Sequence, residues 1–162
     1  MNDRMDVTLS INGRKHAIRV EPRKTLADAI REDCGQTGTH LGCEHGVCGA
    51  CTILLDGAPV RSCLMFAVQA QGKEIRTVEG LADGEVLHPL QRAFIEHFGL
   101  QCGFCTPGFL MLAAGLLENE PDIGEEALLD ALASNLCRCT GYQSIIAAVR
   151  AAQAEMRAGK TG

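Results

Sequence analysis

The chain has 162 residues, 46% of them hydrophobic and 22% charged, a globular composition with room for one domain or two small ones. Its net charge is −5, it has no block of basic residues, and only 4% of it is aromatic, with no Trp and a single Tyr, Tyr142. These features argue against nucleic acid and anionic membrane as partners, because both call for basic stripes, and single strands also call for aromatic stacking platforms.

In chain order, "DVTLSI" alternates from Val7 to Ile11 and "HAIRV" from Ala17 to Val20. Asn12-Gly13 lies between them, a strong hairpin signal. "TLADAIRED" reads as a helix, with Thr25 capping it through Asp28 and Leu26, Ala29 and Ile30 forming one apolar face. The Gly-dense "GCEHGVCGAC" is a loop. "TILLDGAPVRSC" is a second hairpin about Asp56-Gly57, and "KEIRTVEG" supplies a last short strand.

The period then changes. "HPLQRAFIEHFG" reads as a helix with Pro89 in its first position and a stop at Gly99. "TPGFLMLAAGLLEN" reads as a second, with Thr106 as cap and Pro107 after it. "GEEALLDALASN" is a third. "TGYQSIIAAVRAAQAEMRA" is a fourth, with a Thr140–Gln143 capping box and an apolar stripe of Ile145, Ile146, Val149, Ala152 and Met156. The break falls between Gly80 and Glu85. The expected organisation is a β-rich domain over 1–80 and a helical domain over 81–162. Domains this small are marginal without a staple, and a metal site in each half would supply one.

The N-terminus has no apolar run long enough for a signal peptide, and no stretch approaches the ~18–20 apolar residues of a spanning helix. The expectation is a cytoplasmic protein without a membrane span. Nine cysteines, an odd number without a secretion signal, argue for metal binding or redox chemistry over a disulfide framework.

Eight of the nine fall into two sets of four. Cys43, Cys48, Cys51 and Cys63 follow C-x4-C-x2-C-x11-C, and the x4, x2 opening is the plant-type 2Fe–2S signature. Two irons and two sulfides need four thiolates, two per iron. A short loop can wrap the cluster with three of them, and the fourth arrives from just past the second hairpin. Gly42, Gly46 and Gly49 let the backbone adopt positive φ and approach the sulfurs. The second set is Cys102, Cys105, Cys137 and Cys139, C-x2-C-x31-C-x-C. It occupies two inter-helix loops that can meet at one end of a bundle. Structural zinc Cys₄ sites are the alternative, although a C-x4-C-x2-C triplet in Gly-rich sequence is unlike a zinc ribbon. Cys34 lies outside both sets and reads as a packed structural thiol. His45 sits in the first loop, but four cysteines already complete that site. Arg138 can balance cluster charge, meet a partner subunit or face solvent. His16, His40, His88 and His97 show no ligand spacing.

"GCEHGVCGACT", "SCLMFAVQAQG", "GLQCGFCTPG" and "NLCRCTGYQSI" together resemble the iron–sulfur small subunit of the molybdenum hydroxylases, the family of xanthine dehydrogenase, aldehyde oxidoreductase and aerobic carbon monoxide dehydrogenase. The likeness runs from about Val7 to Ala154. It implies an α+β fold: an N-terminal β-grasp ferredoxin domain with one 2Fe–2S cluster, then an all-α four-helix-bundle domain with a second. It implies an electron-transfer subunit in a heterotrimer or dimer of heterotrimers. A large subunit holds molybdopterin, in its cytosine dinucleotide form, and hydroxylates the substrate with oxygen from water. A medium subunit holds FAD. By motif, Cys102, Cys105, Cys137 and Cys139 ligate the cluster nearer the pterin, and Cys43, Cys48, Cys51 and Cys63 the one nearer the flavin. Gln101 and Cys139 match the residues that contact the pterin. The first cluster loop resembles heterocycle or CoA-thioester hydroxylases more than carbon monoxide dehydrogenase. A free-standing ferredoxin carrier is the rival reading. The helical domain, with Gln101 and Cys139, argues against it.

Overall fold

In the computed structural model, which describes residues 3–160, both expected hairpins close through two-residue turns. Asn12 and Gly13 have φ of 51° and 76°, and Asp56 and Gly57 have 50° and 83°. Two consecutive positive φ values make the type I′ turn, whose twist matches that of the flanking strands. The first turn joins β1 (Met5–Ile11) to β2 (Arg14–Val20), and the second joins β3 (Thr52–Leu55) to β4 (Ala58–Arg61). Along β1 the inward residues are Val7, Leu9 and Ile11. On β2 they are His16, Ile18 and Val20, so Ala17 faces solvent and the strand starts three residues before the expected alternation.

The short strand β5 (Glu74–Arg76) takes the middle of a mixed sheet of order β2-β1-β5-β3-β4. It runs parallel to β1 and antiparallel to β3. The turn residues secure both its ends. Asn12 accepts from the Thr77 N–H at 2.9 Å and donates to the Thr77 hydroxyl at 2.9 Å. Asp56 accepts from the Glu74 N–H at 2.9 Å.

Thr25 caps α1 (Leu26–Asp28), accepting from the Asp28 N–H at 3.1 Å. The helix then widens into a π turn, Ala29–Asp33, whose wider hydrogen bonding shows in the Cys34 N–H donating to the Ala29 carbonyl at 3.0 Å. Leu26, Ala29 and Ile30 are fully buried. Cys34 packs into the same core, where burial, with help from the Asp33 charge, pushes its thiol up to about 11.

Four helices follow: α2 (Pro89–Glu96), α3 (Thr106–Asn119), α4 (Glu125–Ala133) and α5 (Tyr142–Lys160). The expected α5 stripe lies in their core, with Ile145, Val149 and Ala152 buried and Ile146 and Met156 at its edge. Two expected caps differ. Thr106 is already helical, the residue before it is Cys105, and its Oγ1 is buried without a partner among the described residues. Thr140 stands outside the α5 cap position, at φ 60°, with its hydroxyl donating to the Cys139 carbonyl at 2.7 Å. Both threonines sit directly after a cysteine, where the chain must turn to aim a sulfur.

The sheet and the helices share a wall. Ile53 and Leu55 of β3 point into the core beneath the sheet, while Leu54 points into the helical core. Gly115 of α3 makes this possible, since a Cβ there would stand 2.7 Å from Leu54 Cδ2. Residues 1–2 and 161–162 of the two expected domains lie outside the described residues. Among those described, no helix is long and apolar enough to cross a membrane.

Candidate metal centres

The first cysteine loop runs between the π turn and β3 as a series of tight turns. Glu44, Gly46 and Gly49 all have positive φ, at 55°, 86° and 73°. Gly42 serves by closeness instead: a Cβ there would lie 3.3 Å from Cys48 Sγ. This winding turns backbone N–H groups toward sulfur. The Cys48 N–H points at Cys43 Sγ at 3.4 Å. Burial pushes the Cys43 thiol up, but the N–H groups of Cys48, His45 and Val47 outweigh it and bring the thiol down to about 6. Cys63 arrives from the turn after β4, tied down by the Ser62 hydroxyl donating to the Cys51 carbonyl at 2.7 Å. Burial, reinforced by the Cys51 thiol beside it, pushes Cys63 up to about 12. The four sulfurs thus meet as two couples, Cys43 with Cys48 and Cys51 with Cys63.

The second set forms at one end of the helices. Cys102 and Cys105 lie between α2 and α3, Cys137 and Cys139 between α4 and α5. Cys102 pairs with Cys139, and the Phe104 N–H, followed by that thiol, holds Cys102 below the ordinary thiol range. Cys105 pairs with Cys137, and burial, reinforced by the Cys137 thiol, pushes Cys105 up to about 12. Gly141 N–H points at Cys137 Sγ at 3.4 Å, and the Cys137 N–H donates to the Tyr142 hydroxyl at 2.8 Å. Gln101 is exposed, and its Nε2 lies 3.4 Å from where a Cβ on Gly141 would stand, so it borders the turn that carries Cys139.

A direct bond joins the two loops. The Leu136 N–H, next to Cys137, donates to the Cys48 carbonyl at 2.9 Å. His40 and Phe104 reinforce the junction through stacked rings 4.9 Å apart and a 2.8 Å bond from His40 Nδ1 to the Phe104 carbonyl. Between the loops lies a cavity of about 310 Å³ lined by Gly42, Cys43, Cys48, Cys102, Phe104 and Leu136, among others.

Sequence reasoning missed Leu136, Tyr142 and His40 as parts of the site. Leu136 acts through its backbone, which no residue type signals. Tyr142 had one usable signal, as the only tyrosine of the chain. His45 and Arg138 are exposed, and His45 Nδ1 meets the Cys43 carbonyl at 2.6 Å.

Within each set the thiols come in couples. A zinc site gathers four ligands about one ion, whereas a 2Fe–2S cluster takes two thiolates on each of two irons. The pairing of the thiols and the N–H groups aimed at sulfur fit the second.

These features define a protein built around two iron–sulfur centres, and sequence comparison agrees. The family model described as a 2Fe-2S iron-sulfur cluster binding domain matches residues 9–82, and that described as a 2Fe-2S binding domain matches residues 77–150. The nicotine 6-hydroxylase small subunit of Paenarthrobacter nicotinovorans is 58% identical over 148 residues, covering 91% of this chain and 89% of its own. The caffeine dehydrogenase subunit gamma of Pseudomonas sp. (strain CBB1) is 52% identical over 147 residues, covering 89% and 88%. In the crystal structure of quinoline 2-oxidoreductase from Pseudomonas putida 86, a chain 51% identical superposes with a TM-score of 0.90, covering 97% of this chain and 98% of that one. The chain belongs to the iron–sulfur small-subunit family of the molybdenum hydroxylases, as the electron-transfer, non-catalytic subunit of an oxidoreductase complex.

Proposed function

We propose that this chain relays electrons singly from molybdopterin, in its cytosine dinucleotide form, on a large subunit to FAD on a medium subunit. Cys102, Cys105, Cys137 and Cys139 hold the cluster proximal to the pterin. Cys43, Cys48, Cys51 and Cys63 hold the distal one. Gln101 and Cys139 face the pterin. The observation that carries this reading is the pairing of eight thiols within two sets of four whose loops are joined at 2.9 Å by the Leu136 N–H and the Cys48 carbonyl. When bound, each cluster takes up and returns one electron.

The protein's own groups do the rest. N–H groups of Cys48 and Gly141 aimed at sulfur favour the reduced, more negative form. Buried Cys51, Cys63 and Cys137 keep water from one side of each quartet, while exposed Cys102 and Gln101 give the proximal quartet an open edge toward a partner. Residues 1–80 carry one centre and 81–162 the other, in a heterotrimer or a dimer of heterotrimers. Eight cysteines serving as cluster ligands and Cys34 as a packed thiol, with no disulfide framework, suit a cytoplasmic location. Nicotine, caffeine and quinoline are nitrogen heterocycles, which supports that substrate class for the complex.

The test is to purify the chain with whatever holds it and add a nitrogen heterocycle without air. The expected result is a fixed ratio with two larger chains carrying molybdenum and FAD, and bleaching of the iron–sulfur absorbance by substrate. A chain that purifies alone, or a colourless zinc protein, would contradict the reading.

A further inference from the structure

Arg61 ends β4, two residues before Cys63, and Ser134 follows α4, three residues before Cys137. The Arg61 guanidinium connects these two segments. One nitrogen donates to the Thr52 hydroxyl on β3. Another donates to the Ser134 carbonyl at 3.0 Å and lies 3.1 Å from the Ser134 hydroxyl. The Thr52 hydroxyl in turn donates to the Gly49 carbonyl, in the first cysteine loop, at 2.6 Å.

Beside the guanidinium, on the same face of that loop, Asn135 is 2% exposed and its Nδ2 lies 3.4 Å from the same Gly49 carbonyl. The loop has no side chain where the guanidinium passes. Gly49 has φ 73°, and a Cβ there would stand 3.0 Å from Arg61 Cζ and run into the Asn135 amide. One planar fork therefore reaches from the strand entering Cys63 to Thr52, just past the loop carrying Cys48 and Cys51, and to the segment entering Cys137. A lysine ammonium, a single point on a flexible stem, cannot span these acceptors in fixed directions.

We propose that Arg61 is a positioning residue for electron transfer between the two centres, holding the Cys43–Cys63 quartet at a set distance from the Cys102–Cys139 quartet through Ser134. This rests on the two-cluster reading above. An electron on the proximal centre reduces the oxidised distal one, and the rate of that exchange falls exponentially with separation. The contact is therefore more than an exposed polar bridge, which alone contributes little.

With both clusters reduced, each carries one unpaired spin, and the splitting of each paramagnetic resonance signal by the other spin reads their separation. The measurement is made on the holo complex of wild type, R61M and R61K. Both variants are expected to lose or smear the splitting, and reduction of the distal centre by substrate is expected to lag behind that of the proximal centre, which is reduced at the wild-type rate. Wild-type splitting and rate in R61M would overturn the proposal. If R61M loses a cluster outright, R61K decides: unchanged splitting there overturns it, altered splitting supports it. A wild-type complex without two iron–sulfur signals would instead sink the two-cluster reading on which the proposal stands.

Discussion

Gly108, near the start of α3, has no side chain because the Gly49 carbonyl occupies the place of a Cβ. The helix can thus press directly on the first cysteine loop. Gly108→Ala is expected to destabilise the protein by roughly 1–3 kcal/mol, the usual cost of overpacking, read as a lower urea midpoint. A midpoint equal to wild type would show that the contact yields freely. His88 also has a measurable consequence. Its Nδ1 accepts from the Leu90 N–H at 3.2 Å and caps α2, a role requiring the neutral ring. Burial, partly opposed by Glu118, lowers its affinity for a proton below the ordinary 6.5. The sign follows from linkage. As the pH drops through 6.5 the unfolded chain takes up a proton that the folded one refuses, so stability present above that range is lost below it. Thermal midpoints from pH 8 to pH 5 should fall more for wild type than for His88→Asn, which caps without titrating; parallel curves would refute the neutral cap.

At the level of elements, β5 shows how a three-residue strand can hold the centre of a sheet. Its own side chains carry little of the burden, for only Ile75 is buried. The turn residues Asn12 and Asp56 secure its ends. Asn12→Ala removes two hydrogen bonds to Thr77 and strains a residue at φ 51°, so a loss of about 1–3 kcal/mol is expected. Hydrogen exchange at Ile75 and Thr77 should rise with it, and unchanged exchange would show that the strand needs no such anchor. The hairpins were legible in the sequence because Asn-Gly and Asp-Gly favour positive φ locally. The central place of β5 was not, since its neighbours lie some sixty residues before it and about twenty before it along the chain. The caps read at Thr106 and Thr140 failed for a related reason. Each threonine follows a cysteine, and the backbone there serves the turn that aims the sulfur. The π turn after α1 was hidden as well, because an apolar face repeats much alike in either helix.

Over the whole molecule, the presence of two iron–sulfur domains was legible because metal-ligand spacing is a property of the chain itself. Their mutual placement was not. It involves Leu54 and Gly115 letting the helices close on the sheet, the Arg76–Glu118 pair at 2.9 Å, the Leu136–Cys48 bond and the Arg61 bridge to Ser134. None of these is a motif. We propose that the eight thiols hold two separate 2Fe–2S clusters in series, with the helical one receiving electrons first. Paramagnetic resonance of Cys139→Ser and Cys43→Ser complexes reduced by substrate separates the two centres. Cys139→Ser should lose or distort the proximal signal and slow reduction of the distal one. Cys43→Ser should leave the proximal signal intact and reducible. Loss of the same signal in both variants would contradict the division into two centres.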